Sequence, residues 1–67
     1  MTIFYPKLSM FERALTRNVK VTSINVIKHR GLKYLVFHTK KSSHQILAFN
    51  EDINHFRSKG YTVNDED

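Results

Sequence analysis

Four histidines, His29, His38, His44 and His55, are the residues of this chain whose side chains could bind a metal or move a proton. His38 and His44 flank a polar loop, and they would lie opposite each other if Thr39 pairs with Ser43. A structural zinc site needs more ligands than this pair, and without cysteine only the other histidines or a carboxylate could add them. We therefore expect structural histidines and no metal site.

The segment Ser42-Ser43-His44 resembles the Gly-Ser-His motif of the HicA toxins, which are small basic ribonucleases with an α-β-β-β-α fold like that of double-stranded-RNA-binding domains. The resemblance implies a ribonuclease. It covers about three residues, the glycine is replaced by Ser42, and the motif precedes the third predicted strand instead of the second. General acid–base catalysis also requires a partner acid or base, and no readable spacing gives His44 one. We expect no catalytic residues, no cofactor and no enzyme activity.

Basic residues are the clearest functional signal, and they form two clusters. One lies at the first predicted turn and one in the second predicted loop, with aromatic and imidazole rings at Tyr34 and His38 on the sheet between them. Cations bind phosphates and rings stack on bases, so the pattern favours DNA or RNA binding. The predicted nucleic-acid-binding residues are Lys28, Arg30, Lys33, Tyr34, Lys40 and Lys41. Arg13, Arg17 and Lys20 would join the second cluster if the first helix folds beside it.

Length and charge limit the function classes. The 67 residues allow one small domain, and their 11 Lys plus Arg against 6 Asp plus Glu give a net charge of +5. We predict a single domain over residues 1–64 and an acidic, disordered tail over residues 65–67. No apolar run approaches the length of a membrane span, and the first residues lack the pattern of a signal peptide. We therefore expect a cytoplasmic protein without membrane contact.

Sequence signals for helices and turns predict which elements of secondary structure carry these candidate residues. Ser9 and Glu12 form an S-x-x-E capping box, which predicts a helix over residues 10–17 that ends at Asn18. Residues 19–28 predict a strand with a bulge near Thr22 and Ser23. Arg30-Gly31 predicts a two-residue hairpin turn that pairs Lys28 with Lys33 and Ile27 with Tyr34.

The second half of the chain continues a meander. Residues 32–39 and 44–49 predict two further strands, the first apolar on both faces and therefore central. Asn50 is expected to cap a second helix, and Gly60 to end it in a Schellman motif. The predicted fold is α+β: a three-stranded antiparallel β-meander flanked by two short helices, in the order α-β-β-β-α. Residues 3–5 could add an edge strand or fold over the core.

This strand order is similar to two nucleic-acid-binding families. It resembles the double-stranded-RNA-binding domain, which contacts phosphates with a Lys-Lys pair at the start of its last helix. Here that position holds the acidic stretch Asn50-Glu51-Asp52, so those contact residues do not carry over. Residues 21–59 also look like the arm-binding domain of phage-type integrases, which lays three strands in the major groove.

The sequence thus predicts a small, basic, non-catalytic nucleic-acid-binding or regulatory protein. The alternative is a protein–protein interaction module, an inhibitor or adaptor of the kind encoded by viruses or mobile elements, acting through an exposed sheet face. Two short helices can cover only one face of the sheet, so the other requires a partner or a second copy. We accordingly expect a homodimer, driven by Tyr34, Val36 and Ile46.

Overall fold

The computed structural model describes residues 1–65 and contains two helices and five strands. Their order along the chain is β1 (Thr2–Phe4), α1 (Leu8–Arg17), β2 (Ser23–His29), β3 (Leu32–His38), β4 (Ser43–Ala48), α2 (Asn50–Ser58) and β5 (Thr62–Asp65). Asp65 of the predicted acidic tail is the last residue of β5, and the rest of that prediction lies outside the described residues.

The sheet has five strands in the order β1-β4-β3-β2-β5, so the predicted three-stranded meander forms only its centre. The antiparallel strands β2, β3 and β4 are joined by short turns. Each edge is closed by a terminal segment that pairs in parallel, β1 with β4 and β5 with β2. The α+β class is confirmed, and the three-stranded meander is incomplete. The edge strand considered for residues 3–5 forms as β1, whereas β5 was not predicted, because no tight turn connects a parallel edge strand to its neighbour.

Both helices pack on the same face of the sheet. Phe11 of α1 contacts Phe37 of the sheet and Phe56 of α2, with ring centroids 5.1 and 5.8 Å apart. All three phenylalanines are fully buried. The core is completed by Leu15, Ile24, Val26, Leu35, Ile46, Ala48 and Ile53. The opposite face of the sheet therefore carries no layer of structure within the described residues.

The tight connections formed as their residue types predict. Arg30 and Gly31 both have positive φ, of 53° and 79°, which is the geometry of a type I′ hairpin turn. They set the expected pairing of Lys28 with Lys33 and of Ile27 with Tyr34. Gly60 has a φ of 98°, and its N–H donates to the carbonyl of Arg57 in the predicted Schellman motif.

The first helix begins differently from its prediction. It starts at Leu8 with Lys7 as N-cap, and no side chain caps it, so the predicted Ser9 capping box does not form. Glu12 instead reaches α2, where it accepts a hydrogen bond from Lys59 Nζ at 2.6 Å and lies 2.9 Å from His55 Nε2. Tertiary packing uses this carboxylate to join the two helices.

The second helix is capped by a neighbour of the predicted residue. Its N-cap is Phe49, whose N–H donates to the Asp52 carboxylate at 3.0 Å, and Asn50 is the first helical residue. At ten and nine residues, neither helix in the described part of the chain has the length and apolar character to cross a membrane.

Candidate nucleic-acid interface

A groove opens at the end of the sheet where β3 turns into β4. Its volume is about 930 Å³. One wall comes from the end of α1 and the chain that follows it, and the other from the β3–β4 turn. The lining residues are Arg17, Asn18, Val19, Lys20, Val21, His38, Thr39, Lys40, Lys41, Ser42 and His44. Asn18 holds the first wall in place, because its side-chain amide donates to the carbonyl of Ala14 and ends the helix.

Four cations border this groove and no carboxylate does. Arg17 and Lys20 lie on one wall, Lys40 and Lys41 on the other, and all four are exposed. Within residues 1–65 none of these four side chains has an ion-pair partner. Uncompensated cations around one concave surface raise the local concentration of anions. The groove therefore has the electrostatics of a polyanion site.

Ser42 and His44, which line the groove, belong to a hydrogen-bond network that continues into the protein. His44 lies between Tyr5 and Ser42: Tyr5 Oη is 2.7 Å from Nδ1, and Ser42 Oγ is 2.9 Å from Nε2. Ser42 in turn fixes the β3–β4 turn, because its carbonyl accepts a hydrogen bond from the backbone N–H of Thr39 at 2.8 Å. The network thus rigidifies the turn that carries Lys40 and Lys41.

Burial determines the charge state of His44. The side chain is 8% exposed, and its ring stacks on Phe37 with the centroids 4.5 Å apart. Burial disfavours the imidazolium and lowers the pKa of His44 below its ordinary 6.5. At neutral pH this ring is uncharged, and one of its nitrogens donates while the other accepts.

The predicted facing of His38 and His44 does not occur. The register pairs His38 with Ser43 and Phe37 with His44, one residue away from the pairing of Thr39 with Ser43. A shift of one residue moves a side chain to the other face of a sheet, so the two histidines point in opposite directions. No group of three or more His, Cys, Asp or Glu residues that could hold a metal ion lies together among the described residues.

The predicted binding residues at the other hairpin are placed apart from the groove. Lys28 and Lys33 face each other across β2 and β3 on the side of the sheet that carries the helices. Lys33 donates to Asn50 Oδ1 at 3.2 Å, and it shares a second cavity with the carboxylate of Glu51. Arg30 occupies the turn itself. Glu51 thus places negative charge beside this cluster, whereas no carboxylate lines the groove.

Tyr34 and His38 lie on the open face of the sheet, as expected from the alternation along β3. Tyr34 is half-buried at the centre of this face, while His38 is exposed at its end and lines the groove. Of the predicted nucleic-acid-binding residues, only Lys40 and Lys41 line the groove, where the predicted stacking residue His38 joins them. The sequence offered Arg17 and Lys20 only on condition that α1 folds beside the β3–β4 turn, and it gave no indication of Tyr5 and Ser42 as partners of His44.

Comparisons of the chain with models of protein families, with curated proteins and with solved structures found no match.

Proposed function

We propose that this chain is a small, non-catalytic nucleic-acid-binding protein that holds a phosphate backbone in the groove between α1 and the β3–β4 turn. The observation that carries the proposal is the convergence of Arg17, Lys20, Lys40 and Lys41 on one groove without a carboxylate. Phosphate contacts of this kind supply most of the affinity for DNA or RNA, and they do so independently of sequence. The protein would act in the cytoplasm.

A binding role is favoured over a ribonuclease role by the state of His44. Both of its ring nitrogens already have partners within the chain, Tyr5 and Ser42, and the ring is almost fully buried. A general base needs a ring nitrogen within hydrogen-bond reach of the substrate. In the proposed function His44 positions the turn, and the lysines beside it contact the ligand.

The second candidate function is the protein–protein interaction module, and the open face of the sheet favours it. Four large apolar side chains on this face are exposed, with Phe4 at 69% and Ile27, Leu32 and Leu47 at 42–44%. A protein partner, a second copy of the chain included, would cover them. The groove and this face share only His38, so one protein can use both.

The test is fluorescence anisotropy with short labelled DNA and RNA at low salt. The wild-type chain should bind at ~50 mM salt, where the electrostatic term is large. The double variant Lys40→Ala/Lys41→Ala should weaken binding to every sequence alike. It should also flatten the plot of log affinity against log salt by roughly 1.4–1.8, the contribution of two neutralised phosphates.

The matched control is the double variant Arg30→Ala/Lys33→Ala, which removes the same charge at the other hairpin. It should change the affinity much less than the Lys40/Lys41 variant does. Equal losses in the two variants would mean diffuse attraction to a basic surface and would contradict the groove. Absence of binding to both polymers at low salt would end the nucleic-acid proposal.

A further inference from the structure

Among the described strand residues, those on the open face of the sheet include two histidines but no Lys, Arg, Asp or Glu. The pairing of the strands places alternate residues on this face, away from both helices. They are Thr2, Phe4, Ser23, Asn25, Ile27, His29, Leu32, Tyr34, Val36, His38, Ser43, Gln45, Leu47, Thr62 and Asn64. Among the described strand residues, no Lys, Arg, Asp or Glu lies there, although such residues make up 25% of the chain.

The charges that the strands do carry point to the other side. Lys28 pairs with Lys33, and Lys33 pairs on its other side with Ala48, which belongs to the core facing the helices. Asp65 pairs with the core residue Val26. A solvated sheet face ordinarily carries charged residues, whereas the centres of protein interfaces are depleted of them and enriched in aromatic residues. The composition of the open face is that of an interface.

We propose that this face binds a second copy of the chain, giving a homodimer with the sheets face to face and the helices outside. The inference goes beyond the proposed nucleic-acid binding, which requires only the groove. The absence of charge on this face is the reason for choosing a second copy as the partner. Two molecules that each carry a net +5 repel each other, and this face lets them approach without bringing like charges into contact.

The polar side chains of the open face are also suited to contact the same side chains on a second copy of the chain. A two-fold interface brings each surface against the same surface, so a charge near the axis would meet its own equivalent. Amides and hydroxyls avoid this conflict, because each both donates and accepts hydrogen bonds. Asn25 and Asn64 already show such a pairing within one chain, with Nδ2 and Oδ1 3.3 Å apart. Gln45 and Tyr34 offer the same complementarity near the centre.

The size of the face sets the strength of the dimer. Five strands at the usual spacing give a face of roughly 400 Å² per copy. The two copies together would bury about 800–1,000 Å², which is less than stable interfaces bury and falls among weak, transient ones. Two of the residues expected to drive the dimer do not contribute: Val36, at 1% exposure, is already covered by its neighbours, and Ile46, at 5%, belongs to the core that faces the helices. The association should therefore be weak, with a dissociation constant in the micromolar range.

The experiment is sedimentation equilibrium of the full chain from low to high micromolar concentration, with two charge-matched variants. Leu47→Lys places a cation on the open face, opposite Tyr34, whereas Met10→Lys places one on α1. The two residues are 42% and 46% exposed, so the substitutions alter similar surface and the same net charge. We expect a dimer for the wild type and for Met10→Lys. Leu47→Lys should dissociate at least about tenfold more readily.

A second variant and a second measurement keep the test decisive. Leu32→Lys, on the same face, replaces Leu47→Lys if that variant fails to unfold cooperatively on heating. Amide chemical shifts followed on dilution should change on β2, β3 and β4 more than on the helices. A wild-type monomer at high micromolar concentration would overturn the proposal and leave the face to another protein. Equal weakening by the Leu47 and Met10 variants, or dilution shifts confined to the edge strands, would overturn it as well.

Discussion

Phe37 and His44 lie directly opposite each other on β3 and β4, with their rings nearly parallel and their centroids 4.5 Å apart. This contact fixes the register of the two strands. It also buries the imidazole of His44. The two ring nitrogens are hydrogen-bonded to Tyr5, which directly follows β1, and to Ser42 of the β3–β4 turn. One ring thus links the core, the sheet edge and the proposed binding groove.

Acidification should destabilise the fold through His44. Because burial lowers its pKa in the folded chain, the unfolded chain binds more protons just below the ordinary value of 6.5. Stability is therefore complete above that pH and declines as the pH falls towards the folded pKa. One proton limits the slope to about 1.4 kcal/mol per pH unit. Urea unfolding at pH values from 7.5 to 5, in steps of roughly half a pH unit, measures this dependence of the free energy of unfolding on pH.

The matched pair for this measurement is His44→Gln and His29→Gln. His44→Gln should remove the slope that His44 contributes below pH 6.5, and His29→Gln makes the same substitution at an exposed position outside the hydrogen-bond network of His44. A slope that survives in the His44 variant would assign the pH dependence to another group.

Ser9→Ala should change stability by less than about 0.5 kcal/mol, because the hydroxyl caps nothing in α1. The capping box read from the sequence predicted a loss of about 0.5–2 kcal/mol for the same change. Phe37→Ala should cost about 3–5 kcal/mol, since it empties a fully buried position between Phe11 and His44. Chemical denaturation of the two variants compares them, and a larger loss for Ser9 would contradict the observed start of the helix.

Glu12→Gln should weaken the link between the helices by about 0.2–1 kcal/mol, since the pair is partly exposed to water. Hydrogen bonds from Lys59 and His55 hold the pKa of Glu12 below its ordinary 4.5. The stabilisation is therefore present above that pH and disappears as the pH falls through the lowered pKa. A double-mutant cycle with Lys59→Met measures the coupling, and a coupling of zero at neutral pH would show that the contact contributes nothing.

Salt should act in opposite directions on the two proposed surfaces. Raising it from ~50 to ~500 mM screens the attraction between the groove and phosphates and weakens nucleic-acid binding. The same change screens the repulsion between two +5 chains and strengthens the dimer. Anisotropy and sedimentation on one preparation measure both. Dimers that dissociate as salt rises would point to an interface built on charged contacts instead of the uncharged face.

Local signals in the sequence determined the hairpin, the second helix and the alternation along β3. Arg30-Gly31 allows one tight turn, and that turn alone fixes which residues of β2 and β3 pair. Gly60 ends α2 because its backbone conformation is costly for any residue with a side chain. Because side chains alternate along a strand, the sequence alone places Tyr34 and Leu35 on opposite faces of the sheet. Each of these features depends on residues close together in the chain.

Only the tertiary structure decided the edge strands, the register of β3 with β4 and the composition of the groove. β1 pairs in parallel with a strand about forty positions away, so no turn between them carries a signal. The β3–β4 register follows from the stacking of Phe37 on His44, a packing contact that the polar loop between them does not encode. Arg17 and Lys20 meet Lys40 and Lys41 because the apolar stripe of α1 is buried against the sheet. Contacts between distant residues are selected by how well side chains fill the core, and that selection is made by the whole fold.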